Sequence, residues 1–227
     1  MAAVEILTFG DLLTDFAEKI GETSQNTDDN RKRKTNNALN QVHGEDLWWF
    51  DEVSDATQTT TLSTYTYALP TGYRVPHPDN PVKIGDNWYV MVPFSDLQQY
   101  QNSSGVVQLP QFKTKKRAYI YGGNMTFLTS SMAAGLTITH YFYKAPTTLD
   151  ALGDIPRLPA QYLEAVSLLA AGNHLKSQGG REAVEANDYL ELYENYLKIM
   201  RKENDMRRNW GVARRSRDPE EQAVISR

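Results

Sequence analysis

The sequence predicts an α+β protein. It should be a helical bundle built from N- and C-terminal helices, with an antiparallel β-sandwich or barrel lobe inserted between them and an extended C-terminal tail. Three observations predict it. Amphipathic segments open the chain, a Thr/Tyr-rich stretch with period-two alternation fills its middle, and strongly apolar helical periodicity returns near its end. Neither helical half carries enough apolar surface to fold alone, so the halves should pack together. The expected divisions are 1–50 for the first helices, 51–153 for the β lobe, 154–206 for the closing helices and 207–227 for the tail.

Thr8 followed by Asp11 has the capping-box arrangement with Asp in place of Glu. Phe9, Leu12, Leu13, Phe16 and Ile20 then recur at helical spacing up to Gly21. A second helix is expected from Thr27, where Asp28 and Asp29 suit the positive end of the helix dipole, to Gly44. Its apolar face, Ala38, Leu39 and Val42, is thin, so it should lie at the periphery or face a partner. Trp48, Trp49 and Phe50 form the densest aromatic cluster in the chain. They read as a plug at the boundary of the helical and β lobes, with a nucleic-acid stacking platform as the alternative, because three large aromatics together bury several hundred square ångströms.

From Thr57 to Pro70 the residues alternate as one strand. Tyr73 to Pro81 reads as a proline-stiffened loop. Further strands are expected at Asn87–Val92, Ala118–Tyr121, Met125–Thr129 and Leu136–Tyr143, with Gly122-Gly123-Asn124 as a hairpin turn and Gln98–Gly105 as a surface loop. Pro159 suits a first helical turn. Tyr162, Leu163, Val166, Leu169, Ala170 and Leu175 mark the most buried helix, ending at Gly179-Gly180. The last helix is expected from Arg181 to Met206, with Tyr189, Tyr193, Tyr196 and Met200 on one stripe and Leu190, Leu197 and Val184 beside it. From Val212 onward no periodicity remains, and a segment without it should be disordered in the free protein.

At 227 residues the chain can bury a real core, and its net charge of -4 gives no global sign of a nucleic-acid binder. With no cysteine, a disulfide framework, a Cys nucleophile, a thiolate zinc site and an iron–sulfur cluster are all excluded. The start lacks the basic and apolar regions of a signal peptide, and no stretch approaches the roughly 18 apolar residues of a membrane span, so no membrane association is expected.

Chemistry-bearing patterns are sparse. His43, His77, His140 and His174 fall in four different elements, none at metal-ligand spacing with another histidine or a carboxylate. Nucleophile-elbow, phosphate-loop and zinc-helix patterns do not occur. A polysaccharide hydrolase would need separated carboxylates on neighbouring strands, but Asp79, Asp86 and Asp96 all fall in or near loops. Catalytic residues, metal ligands and cofactors are therefore expected to be absent. Two basic segments remain. Arg31-Lys32-Arg33-Lys34 spans one turn and spreads its charge around a helix. The second sets Trp210 among Arg207, Arg208, Arg214, Arg215 and Arg217 on a tail, and Arg and Trp dominate interface hot spots. Nucleic acid and a protein groove are both possible targets. Asp218, Glu220 and Glu221 beyond it argue for protein.

The order of these blocks resembles tailed-phage head-to-tail connector adaptors of the tail-tubular-A kind. The resemblance rests on the opening helix, on Asn36-Asn37-Ala38-Leu39-Asn40 before Trp48-Trp49-Phe50, and on Thr64-Tyr65-Thr66-Tyr67-Ala68-Leu69-Pro70. It rests further on Ala118-Tyr119-Ile120-Tyr121-Gly122-Gly123, on Ile155-Pro156-Arg157-Leu158-Pro159 and on the tyrosine-striped last helix. It implies a virion protein that is no enzyme: a ring, usually of twelve copies, below the portal in the neck, assembled in the host cytoplasm, extending the DNA channel and supporting the next tail component. The resemblance also implies that Arg207, Arg208, Trp210, Arg214, Arg215 and Arg217 dock on the portal protein. Arg31, Arg33, Tyr65 and Tyr67 are candidates for contacts between subunits, and DNA would pass through without specific recognition. The competing reading is a nucleic-acid-binding module that uses the basic helix and the arginine-rich tail.

Overall fold

Thr8 opens the first helix as its sequence predicts. Its Oγ1 accepts from the Asp11 N–H at 3.2 Å, and its own N–H donates to Asp11 Oδ2 at 2.9 Å. The computed structural model describes residues 7–22, 29–98, 116–129 and 131–215, the last seven by their backbone. Among them are five helices, α1 (Phe9–Lys19), α2 (Asp29–Gly44), α3 (Phe94–Gln98), α4 (Leu163–Gln178) and α5 (Glu182–Arg215). The eight strands are β1 (Glu52–Thr59), β2 (Thr66–Ala68), β3 (Tyr73–Pro76), β4 (Val82–Ile84), β5 (Asn87–Met91), β6 (Arg117–Tyr121), β7 (Asn124–Leu128) and β8 (Thr137–Lys144). The expected start of α2 at Thr27, most of the Gln98–Gly105 loop and the chain beyond Arg215 lie outside the described residues.

The chain divides into two units, Met1–Asp51 with Pro146–Arg227, and Glu52–Ala145. In the first unit, α4 is the centre. Leu163, Val166, Leu169 and Ala170 share one core with Phe9, Leu12 and Phe16 of α1 and Ala38, Leu39 and Val42 of α2, and Leu175 further along α4 is buried as well. Gly179 ends α4 at φ 76°, a backbone conformation that only glycine adopts without steric penalty.

Helix α2 is more deeply packed than its thin apolar face predicts. Arg31, Thr35, Asn36 and His43 are buried beside the three apolar residues. Asn36 exchanges two hydrogen bonds with the Leu149 backbone, both 2.9 Å. A polar residue that satisfies buried backbone groups fits a core as well as a leucine, but an apolar pattern does not reveal it.

Helix α5 also departs from expectation. It runs on through residues 207–215, placed by the sequence in an extended tail. Arginine and alanine are good helix formers, and the lone Gly211 costs only about 1 kcal/mol against alanine. Val184, placed by the sequence beside the tyrosine stripe, is 68% exposed.

The second unit is one eight-stranded mixed sheet that curls into a half-barrel, rather than an antiparallel sandwich or closed barrel. Its strand order is β1-β8-β4-β5-β6-β7-β2, with β3 also on β8. The pair β5–β6 is parallel, Val90 lying opposite Arg117 and Met91 opposite Ala118. A parallel pair needs a crossover, here through α3, and periodicity within a strand says nothing of its neighbour's direction. Tyr121 and Asn124 close the β6–β7 hairpin around Gly122 and Gly123 (φ 57° and 76°), as the primed turn requires.

The expected single strand from Thr57 to Pro70 is broken. Leu62 is exposed, and Ser63 turns the chain at φ 57°. β1 then pairs with β8, and β2 with β7. Part of the predicted Tyr73–Pro81 loop is strand β3, on β8. Val82, Ile84, Tyr89, Ala118, Met125, Phe127 and Ile138 make this unit's core.

Candidate assembly surfaces

The C-terminal part of α5 is held by the segment that follows α2. Helices α4 and α5 run antiparallel, since Tyr196 meets Glu164 and Glu203 meets Tyr162. They pack tightly at Gly172, where an added Cβ would stand 2.8 Å from the Leu190 side chain. Further along α5, buried Asn204 accepts from the Trp49 N–H at 3.0 Å and donates to the Leu47 carbonyl at 3.1 Å. Arg208 donates to the same carbonyl at 2.6 Å, and Arg201 pairs with Glu45 at 3.2 Å. Arg207 donates to Glu203 at 2.7 and 2.9 Å and lies over the Trp49 ring at 3.8 Å. The Tyr162 hydroxyl and then Arg207 hold the Glu203 carboxyl below its ordinary range.

That segment is itself locked. His43 Nδ1–H donates to Asp51 Oδ2 at 2.8 Å, both side chains buried, and Trp48 Nε1 donates to the Val42 carbonyl at 2.7 Å. Arg157 donates to the Phe50 carbonyl at 3.0 Å and stands 3.9 Å from Asp51 Oδ1. Trp48 is fully buried and Phe50 stacks on it, so this cluster offers no free stacking platform for a base. The sequence did not reveal this arrangement. His43 and Asp51 are eight residues apart with a turn between, a spacing that belongs to no motif.

The basic turn of α2 has partners inside its own unit. Arg31 is buried and pairs with Glu22, Lys32 pairs with Asp150 at 3.0 Å, and Lys34 contacts His174. Arg33 is exposed and donates to Asn30 at 3.0 Å. The two lobe candidates, Tyr65 and Tyr67, are half-buried against the sheet core. The Tyr67 hydroxyl donates to the Thr64 carbonyl at 2.9 Å. Of the predicted portal-docking residues, Arg207 and Arg208 are exposed. Trp210, Arg214 and Arg215 lie in the described helix by their backbone, and Arg217 is outside the described residues.

Among the described residues no cluster of metal-ligating side chains occurs, and no helix is long and apolar enough to cross a membrane. What the geometry offers is a helix whose basic end is fixed at Asn204 and Arg207 and continues seven residues past Arg208. The profile of one family, described as SU10 adaptor protein, matches residues 7–217, nearly the whole chain. The chain belongs to this family of phage head-tail adaptors. No curated protein matches the chain. Membership gives the adaptor a structural role at the head-tail junction of a virion.

Proposed function

We propose that copies of this adaptor form a ring, of twelve members as the resemblance implies, below the portal. The ring would continue the DNA channel and carry the next tail component. The C-terminal end of α5, with the residues after it, docks on the portal. The observation that carries this reading is the length of α5, which goes on as a basic helix beyond its last described side-chain contacts, at Arg208. Arg214 and Arg215 fall within that extension, and Arg217 follows it. A helix end whose sequence sets Trp210 among arginines suits a partner groove with carboxylates.

The ring would pass DNA without recognising it. The basic turn of α2 does not favour a nucleic-acid module, because Arg31, Lys32 and Lys34 already have partners within the chain. Arg33 remains a candidate for contacts between subunits, together with Tyr65 and Tyr67 at the lobe.

The test is negative-stain electron microscopy of the chain mixed with the portal of its own phage. The full chain is compared with one ending at Arg208, which keeps every described latch on α5. Rings on the portal with the full chain alone support the reading. Rings with both keep the adaptor role and move the anchor into the folded body, and no ring with either overturns portal docking.

A further inference from the structure

Helix α5 has two faces that matter. Ala186, Tyr193, Leu197, Met200 and Asn204 are buried against its own unit. On another face Leu192, Ile199 and Met206 stand at intervals of seven residues, exposed by 50%, 57% and 50%. Single exposed apolar residues are ordinary on a soluble surface. Three at heptad spacing are aligned, because an α-helix drifts only about 20° per heptad. Half-buried Tyr189, Tyr196 and Glu203 alternate with them at steps of three and four, the spacing of a helix–helix seam. Those three are fixed from beneath. The Tyr189 hydroxyl donates to the Lys19 carbonyl at 2.9 Å, that of Tyr196 to Glu164 at 2.6 Å, and Glu203 holds Tyr162 and Arg207. The seam is therefore rigid on one side and open on the other.

The charges on α5 say what fits it. Its first part carries Glu182, Glu185, Asp188, Glu191 and Glu194 and no cation. From Lys198 on, Arg201, Lys202, Arg207, Arg208, Arg214 and Arg215 face only Glu203 and Asp205 in number. The helix dipole acts on charges in the terminal turns. It does not account for a polarity that extends to the middle of a helix about 50 Å long. A second α5 laid parallel would set acid beside acid and base beside base. Laid antiparallel, it sets the acidic half of each copy beside the basic half of the other.

We infer that the free protein pairs with a second copy of itself, the two α5 helices antiparallel and crossing at Ile199. Leu192 and Met206 are equidistant from Ile199, so each meets the other's counterpart across the twofold axis. Such an interface uses the same patch on both copies and closes at two. Neighbours in a ring are related by rotation about a common axis and cannot share it, so the pair opens before a ring forms. The inference does not depend on portal docking, and it fails or holds separately.

The absence of cysteine makes the test direct, because each introduced thiol is the only one present. Full-length chain with Ile199→Cys should crosslink to dimers under diamide. Leu192→Cys alone should not, since its two copies would lie about 21 Å apart along the axis. A mixture of Leu192→Cys and Met206→Cys chains should crosslink. By analytical ultracentrifugation, Ile199→Glu should weaken the pair by about tenfold or more, because each copy loses a buried apolar side chain. Circular dichroism of that variant, altered only at the surface, should be unchanged. A wild-type chain still monomeric at about 100 μM overturns the inference. So does a Leu192→Cys chain that crosslinks alone as readily as Ile199→Cys, which would mean parallel helices.

Discussion

The guanidinium of Arg207 lies 3.8 Å from the centre of the Trp49 ring and is held there by two hydrogen bonds to Glu203. The contact joins residues 158 positions apart and sits one turn beyond Asn204, at the base of the segment proposed to meet the portal. A cation over an indole at an exposed site is worth about 0.5–1 kcal/mol. Arg207→Ala should lower stability by about that much and speed hydrogen exchange of the amides from Asp205 to Arg208. Arg207→Lys should recover only part of the protection, since lysine lacks the planar stacking group.

Asn204 supports the same segment from within the core. Its side chain satisfies the Trp49 N–H and the Leu47 carbonyl at once. Asn204→Ala leaves the Trp49 N–H without this acceptor and should cost about 1–3 kcal/mol in urea unfolding. Asn204→Asp keeps the acceptor, loses the donor and adds a buried charge, so it should not restore stability. Full stability in either variant would show that the segment is held elsewhere.

Gly172 sets how closely α5 approaches α4. An added Cβ would meet the Leu190 side chain at 2.8 Å and the Ala186 carbonyl at 3.3 Å. Gly172→Ala gains helix propensity of about 1 kcal/mol but forces the two helices apart. The net expectation is destabilisation of about 1–2 kcal/mol by thermal unfolding, relieved when Leu190→Ala is added.

Acid should weaken the sheet unit through His140, which is fully buried on β8. Burial lowers its pKa from 6.5, and Asp55 opposes that only in part. Nε2–H of the neutral ring donates to Gln58 Oε1 at 3.3 Å, while Nδ1 has no hydrogen-bond partner. A folded pKa below the unfolded one gives stability that is full above 6.5 and is lost as pH falls through the depressed value. Unfolding followed from pH 7.5 to pH 5 should show this loss, and His140→Gln should flatten it. Equal slopes in the two chains would assign the acid sensitivity to another group.

Several elements were legible in the sequence because their causes are local. Thr8 and Asp11 make a capping box within three residues, Gly122-Gly123 makes a turn within two, and the apolar run from Tyr162 to Leu175 specifies α4. The break at Ser63 was not legible, because both sides of it alternate correctly and only the separate partners β8 and β7 force the turn. The His43–Asp51 pair was hidden for a similar reason. Its residues come together through a turn that their spacing does not encode.

The sequence by itself determined the family, the order of helical and β segments, the caps and turns, and the basic character of the C-terminal end. All of these depend on neighbours within a few positions or on residue order. Tertiary structure decided the parallel β5–β6 pair, the single curled sheet, the polar packing of α2 and the latches of Asn204 and Arg207 on residues 47–49. Each of these joins segments far apart in the chain, and the apolar and charge patterns of a segment state which face is buried without naming what buries it.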